Sequence, residues 1–161
     1  MKTIPLGKGH VAIVDDEDYE RLSKFHWFSY KGNSTTYAQR HKIGIPRNGS
    51  RPLILMHREI MHVSDPKVMV DHKDGNGLNN QRSNLRICTN GQNKQNGTVY
   101  KNSKTGFRGV TYRKDLNKFR SKISFNGKEI HLGYFDTALE AAQVRDRKAL
   151  ELHGEFARMT I

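Results

Sequence analysis

The residues with the clearest chemical potential lie between positions 70 and 93. An acid–histidine pair, Asp71-His72, ends a short apolar run and is followed by a turn of mostly Gly, Asn and Asp. Asn84 then opens a second apolar run, and Asn93 lies where the first turn of a helix is expected. A carboxylate, an imidazole and an amide brought together by a hairpin and a helix could hold one hard cation and activate a water molecule. This pattern indicates the chemistry of a metal-dependent nuclease.

Each of these side chains has a chemical reason to take part. Asp71 offers a charged oxygen and Asn93 a carbonyl oxygen, and both suit Mg²⁺. His72 titrates near neutral pH, so it could take a proton from an attacking water. Asn84 is expected to act through its amide, by tying the turn to the backbone and so orienting the imidazole. The alternative is that Asp, Asn and Gly only form turns here; the ordered set within a basic segment favours the functional interpretation.

Composition points to a polyanionic partner. The 161 residues carry a net charge of +12, with a pI near 10.0. The excess is concentrated at positions 71–132, which hold 13 Lys and Arg against 4 Asp and Glu. Such a charge favours nucleic acid through counterion release and steering, and says little about fold.

Other classes of protein are disfavoured by the same composition. The mean hydropathy is −0.79, and no run approaches the roughly 20 apolar residues of a membrane span. The first residues lack the apolar core of a secretory signal. The single cysteine, Cys88, excludes an internal disulfide and a cysteine-built zinc site, and we expect it to be buried. These features fit a reducing cytoplasm.

The elements that must position these residues form an α+β pattern. Residues 1–62 are expected to be a small α+β lead-in to the motif at 66–96. Its expected elements are a strand at 9–14, a helix beginning near 15, a hairpin of 27–30 with 36–40, a basic loop at 46–52 and a short helix at 53–62.

After a polar linker at 97–106, residues 107–158 predict three short strands and one helix. Asn126-Gly127 is a strong type I′ hairpin signal between the second and third strands. Thr137 and Glu140 have the spacing of a capping box, and Gly154 ends the helix. The expected strands are 109–112, 119–125 and 129–134, and the expected core includes Phe119, Ile123, Leu139 and Leu150.

Residues 70–96 resemble the HNH endonucleases, which have the ββα-metal fold, and in particular their phage and intron homing members. The similar features are Asp-His-x-Asp-Gly, Asn-Asn, Asn-Leu-Arg and a final Asn. The resemblance implies that Asp71 and Asn93 bind one Mg²⁺ or Mn²⁺ ion. It further implies that His72 is the general base and that Asn84 is the central Asn of the family name. Asn93 replaces the last His of the common motif, which favours these ions over zinc.

The segment before the motif adds a second point of similarity. Met56-His57-Arg58-Glu59 resembles the residues that precede the motif in these enzymes. For His57 and Arg58, a functional role and an exposed helix face that touches phosphate or nothing both remain open.

Residues 107–158 resemble the AP2 DNA-binding domain, in which a three-stranded sheet lies in the major groove and a helix braces its back. The sheet tryptophans of the plant members are absent, and Ser124 stands where a base-reading arginine is often found. The alternative is a solvated basic sheet face. The similar residues include Arg108-Gly109-Val110, Phe119, Ile123, the stretch 132–137 and Arg145-Asp146; those expected to meet DNA are Arg108, Arg113, Lys118, Arg120 and Lys122.

Together the patterns predict a site-specific, metal-dependent endonuclease that acts on double-stranded DNA, of the homing type found in phages and mobile elements. One active site per chain makes nicking of one strand the expected outcome for a monomer, and a double-strand break would need a dimer or two sequential events. The chain is expected to be a monomer or a weak homodimer. The expected division is a nuclease domain at 1–96, the linker at 97–106 and an AP2-like domain at 107–161. The alternative function is a non-catalytic, sequence-specific DNA-binding protein on an HNH scaffold.

Overall fold

The computed structural model describes residues 1–44, 51–97 and 103–161, and it divides the chain into unit 1, residues 1–93, and unit 2, residues 94–161. Much of the expected loop at 46–52 and of the expected linker at 97–106 lies outside the described residues. Small antiparallel sheets combine with a few helices, which confirms the α+β class. Among the described residues, no helix is both long and apolar enough to cross a membrane.

The described residues of unit 1 form three small antiparallel sheets, β1–β2, β3–β4–β5 and β6–β7. Their inward-facing apolar residues share one core, in which Trp27 is 1% exposed and donates its indole N–H to the Leu22 carbonyl oxygen at 2.8 Å. The elements are β1 (Lys2–Pro5), β2 (Val11–Val14), α1 (Asp16–Leu22), β3 (Phe28–Lys31), β4 (Thr36–His41), β5 (Leu53–Leu55), α2 (Met56–Ile60), β6 (Met69–His72) and β7 (Leu85–Cys88), followed by α3 (Asn90–Gln95).

Two features of unit 1 differ from the sequence-based prediction. The expected helix at 53–62 is wrong over its first three residues, because β5 pairs there with β4 and α2 begins only at Met56. Strand β1 was not predicted; its register places Lys2 opposite Val14 of β2. Strand β5 forms because it pairs with β4 across the intervening segment, which a local pattern does not reveal. Strand β1 forms a hairpin with β2 that closes with the hydrogen bond from the Leu6 backbone N–H to the His10 carbonyl oxygen.

Unit 2 is a three-stranded antiparallel sheet, in the order β10-β9-β8, packed on one helix. Asn126 and Gly127 have φ of 50° and 76°, as a type I′ turn requires, and Thr137 and Glu140 form both bonds of the capping box. The predicted three strands and helix are confirmed. Their bounds are β8 (Val110–Arg113), β9 (Lys118–Phe125), β10 (Lys128–Phe135) and α4 (Ala138–His153).

The buried stripe of α4 differs from the predicted core. Leu139 and Leu150 are 48% and 58% exposed, so the prediction that they are buried is wrong. Small residues allow α4 to approach the sheet closely, and the buried hydroxyl of Ser121 donates to the Ala141 carbonyl oxygen at 2.8 Å. The buried residues of α4 are Ala141, Ala142, Arg145, Asp146, Ala149 and His153.

Candidate active site

Asp71 and His72 are the last two residues of β6, at the point where the strand gives way to a turn. The pairing with β7 places Asp71 opposite Arg86 and His72 opposite Leu85. Both side chains are buried, with 7% and 4% exposure. Successive strand residues point to opposite faces, and β6 ends at His72, where the turn begins.

Arg86 holds the carboxylate of Asp71. Its Nε and Nη2 donate to Oδ2 of Asp71 at 3.0 and 2.8 Å, and both side chains are buried. In the sequence, Arg86 stands out only as part of an Asn-Leu-Arg motif. The signal that could have identified the pair is the hairpin register, which places the two residues directly across from each other.

His72 lies in a cluster of aromatic rings from three elements. Its ring meets that of His57 edge to face with centroids 5.0 Å apart, and Tyr37 is 5.9 Å from His72 and 5.6 Å from His57. His57 is only 5% exposed, so it does not lie on an exposed helix face. Arg58 donates to the Val68 carbonyl oxygen at 2.7 Å, which is a structural contact.

Burial keeps both imidazoles neutral. It lowers the pKa of His72, against the opposing effects of a hydrogen bond with the Asn80 side chain and of the nearby Asp74 and Asp71 carboxylates. Burial also lowers the pKa of His57 to about 3, helped by the proximity of His72. At neutral pH, His72 is therefore in the form that can accept a proton.

Asn84 fixes the turn that follows His72. Its Oδ1 accepts from the backbone N–H of Asp74 at 3.1 Å. Its Nδ2 donates to Oδ1 of Asp74 at 3.0 Å and to the Asn79 carbonyl oxygen at 2.8 Å. These bonds link the end of the turn to its start, beside the imidazole.

The lead-in braces the same turn from outside. The backbone of Ile13 donates to the Leu78 carbonyl oxygen at 2.8 Å and accepts from Asn80 at 2.7 Å. Asp15 accepts from the Arg82 backbone N–H at 2.8 Å. These contacts join residues more than 60 positions apart, so no local pattern in residues 1–62 predicts them.

The donor types available here suit a hard cation. Asn93 is half-buried on α3, and its side chain makes no hydrogen bond within the described residues. Across residues 1–44, 51–97 and 103–161, no three His, Cys, Asp or Glu side chains form a group that could hold a metal ion. A bound ion would therefore need amide oxygens in addition to Asp71, and such oxygen ligands fit Mg²⁺ or Mn²⁺ better than zinc.

The five basic residues predicted to meet DNA all have partners within unit 2. Arg108 precedes β8, and its guanidinium donates to the carbonyl oxygens of Lys94, Gln95 and Gly97. These carbonyl groups lie at the end of a helix, where backbone acceptors lack helical donors. The other ion pairs are Arg113–Asp115 at 2.7 Å, Lys118–Asp136 at 2.9 Å, Arg120–Glu129 at 2.7 Å and Lys122–Glu129 at 2.5 Å.

Comparison with known proteins identifies a family for the segment that contains β6, the turn, β7 and α3. Residues 64–95 match the family model of the HNH endonucleases. An uncharacterized HNH endonuclease of Acanthamoeba polyphaga mimivirus is 33% identical over 158 residues, covering 94% of this chain and 75% of the mimivirus protein. Protein 3.8 of Escherichia phage T7 is 34% identical over 89 residues, covering 55% of this chain and 73% of the phage protein. No solved structure is a significant match. The chain therefore belongs to the HNH endonuclease family.

Proposed function

We propose that this protein is a metal-dependent endonuclease that hydrolyses phosphodiester bonds in double-stranded DNA. The observation that carries the proposal is the buried, neutral His72 at the end of β6, adjacent to Asp71 and followed by a turn that Asn84 fixes. Within the family-matched segment, these residues provide a base, a carboxylate and an orienting amide.

His72 accepts a proton from a water molecule, whose oxygen attacks phosphorus while the bond from phosphorus to the 3′ oxygen breaks. Asn84 acts through the turn and keeps the imidazole oriented. Asp71 and Asn93 would hold one Mg²⁺ or Mn²⁺, which when bound supplies positive charge to the reacting phosphate. One such site per chain gives a nick in one strand.

Unit 2 serves as the DNA-binding module, with an AP2-like sheet face that carries Arg113, Lys118, Arg120 and Lys122. The relatives are a protein of a mimivirus and a protein of a phage. Their source supports the proposal that a phage or a mobile element encodes this enzyme, as is the case for homing endonucleases. The target of such an enzyme would be a specific site in duplex DNA.

Nicking of supercoiled plasmid tests the proposal. We expect Mg²⁺ to support conversion to open circles, EDTA to abolish it, and His72→Ala to slow it by about 10²–10⁴-fold, the usual contribution of a general base. DNA affinity should change little, because a general base acts mainly in the transition state. His26→Ala, at an exposed histidine of unit 1, is the matched control and should cut like the parent.

Two outcomes would contradict the proposal. If the parent bound the plasmid but never nicked it with Mg²⁺ or Mn²⁺, the protein would be a DNA-binding protein on an HNH scaffold. If His72→Ala cut as fast as the parent, His72 would not be the base.

A further inference from the structure

Glu129 holds two cations of the exposed face of the unit 2 sheet. Its Oε1 accepts from Nη2 of Arg120 at 2.7 Å, and its Oε2 accepts from Nζ of Lys122 at 2.5 Å. The three side chains retain 43%, 27% and 36% exposure, so the cluster is open to solvent. A ligand arriving at this face therefore meets cations that are already paired.

The sheet register explains why these side chains meet. Glu129 of β10 lies opposite Ser124, and His131 lies opposite Lys122 of β9. Positions 120, 122 and 124 alternate with the buried Ser121 and Ile123, so they share the exposed face. Arg120 also donates from Nε to Nδ1 of His131 at 3.4 Å, which orients the guanidinium over the sheet.

The sharing of one carboxylate distinguishes this cluster from the neighbouring pairs. Arg113 and Lys118 each have a carboxylate partner outside the centre of the face, Asp115 in the following turn and Asp136 after β10. Lys122 and Arg120 hold the pKa of the Glu129 carboxyl below its usual value, so Glu129 is ionised at neutral pH.

We propose that Glu129 determines the DNA selectivity of unit 2 by competing with phosphate for Arg120 and Lys122. The proposal rests on the DNA-binding role of the sheet. On a duplex of arbitrary sequence, a phosphate must displace the Glu129 carboxylate from Arg120 and Lys122. The carboxylate also repels the phosphate, so the contact adds little affinity. On a site that offers guanine acceptors to Arg120 and a cytosine amino group to Glu129, all the charged groups find partners. Repulsion of wrong partners is a common source of specificity.

The test compares Glu129→Gln with Glu151→Gln in the full chain. Glu151 is the matched control, because it also forms an exposed pair with a lysine, Lys148, but lies on α4, which packs on the opposite side of the sheet. Affinity is measured by fluorescence anisotropy in EDTA, with a mixed-sequence duplex of about 30 base pairs. We expect Glu129→Gln to bind about 3–10-fold more tightly than the parent, as expected for release of two weak surface ion pairs, and with a steeper salt dependence. Glu151→Gln should stay within about twofold, because it adds the same charge away from the DNA.

Two further measurements make the result specific. Adding Arg120→Ala and Lys122→Ala to Glu129→Gln should remove the gain, and selection from random duplexes should give a less defined site for Glu129→Gln than for the parent. Equal affinities of Glu129→Gln and Glu151→Gln would overturn the proposal, as would a gain that survives loss of both cations. If neither the parent nor Glu129→Gln bound duplex, the DNA-binding role of the sheet would also fall. Plasmid nicking by the parent is measured separately, so failure of this inference and failure of the endonuclease proposal are distinguishable.

Discussion

His57 and His72 come from different elements, α2 and β6, and their rings meet in the interior of unit 1. An exposed histidine would be partly protonated near its ordinary pKa and could not then accept a proton. Burial favours the neutral ring of His72, which retains the lone pair that a base needs. The same burial makes unit 1 sensitive to acid, because the unfolded chain gains protons that the folded chain excludes.

The pH dependence of unfolding should reveal this effect at His57. The pKa of His57 is about 3 in the folded protein and 6.5 ordinarily. The contribution of the neutral His57 ring to the free energy of unfolding is therefore fully present above pH 6.5 and is lost progressively as the pH falls towards 3. Between pH 7.5 and pH 5.0, protonation of His57 in the unfolded chain should lower the free energy of unfolding by about 2 kcal/mol. His57→Phe, which keeps a ring in place, should therefore lose about 2 kcal/mol less than the parent over that interval.

Urea unfolding followed by the fluorescence of Trp27 measures this difference, because the single tryptophan lies in the core of unit 1. His26→Gln, at an exposed position, should keep the pH dependence of the parent. If the free energy of unfolding of His57→Phe fell with decreasing pH as steeply as that of the parent, His57 would not be the acid-sensitive group.

At the scale of elements, the turn between β6 and β7 depends on its close fit against β4. Gly77 donates its backbone N–H to Oγ1 of Thr35 at 3.0 Å. A Cβ at Gly77 would lie 2.5 Å from the Thr36 carbonyl oxygen and 2.7 Å from the ring of Tyr37. Tyr37 in turn contacts the His72 ring, so a change at Gly77 reaches the candidate base through one neighbour.

Gly77→Ala should displace this turn and destabilise unit 1 by about 1–3 kcal/mol, the usual cost of overpacking. Its nicking rate should fall as well, because the turn that orients His72 would shift. Gly91→Ala is the control, since its new methyl group would find its nearest neighbour, Oγ1 of Thr89, at 3.8 Å. Trp27 fluorescence and plasmid nicking measure both effects; equal stability of the two variants would argue against the close fit.

The elements that could be predicted from sequence are those with strong local signals. Turn residues marked the hairpin at Asn126-Gly127, and the Thr137 and Glu140 spacing marked the start of α4. The stripe of α4 that faces the sheet could not be predicted, because its small residues and its buried Arg145 and Asp146 look like a solvated helix face. The burial of Asp146 is compensated by hydrogen bonds that it accepts from residues 160 and 161, including one from the Thr160 backbone N–H at 2.6 Å.

The candidate site shows the same division. The order of Asp71, His72, Asn84 and Asn93 along the chain was sufficient to indicate the family. The partner of Asp71, Arg86, depends on strand register, and the ring contact of His57 depends on the packing of α2. Such partners come from tertiary structure, so the sequence shows which residues matter more readily than how they are held.

At the scale of the whole molecule, the two units have cores of different size. The core of unit 1 is the larger of the two and includes Val70 and Leu85, the sequence neighbours of Asp71 and Asn84, whereas that of unit 2 is small. A small core gives marginal stability, so a DNA-binding unit of this size should be stabilised by its ligand. Arg108 ties the start of unit 2 to its body through the carbonyl oxygens of Lys94, Gln95 and Gly97.

A fragment of residues 94–161 should fold, bind duplex DNA and cut nothing, because it keeps the sheet face and lacks Asp71, His72 and Asn84. A fragment of residues 98–161 should melt at a lower temperature, since it lacks the three carbonyl groups that Arg108 binds. Thermal melts with and without duplex measure both effects, and DNA should raise the melting temperature of the longer fragment.

Residues 1–97 alone should bind the same duplex more weakly than the full chain and with a shallower salt dependence, because they lack the cations of the sheet. If residues 1–97 bound as tightly as the full chain, the DNA-binding role would belong to unit 1, and the sheet of unit 2 would need another explanation.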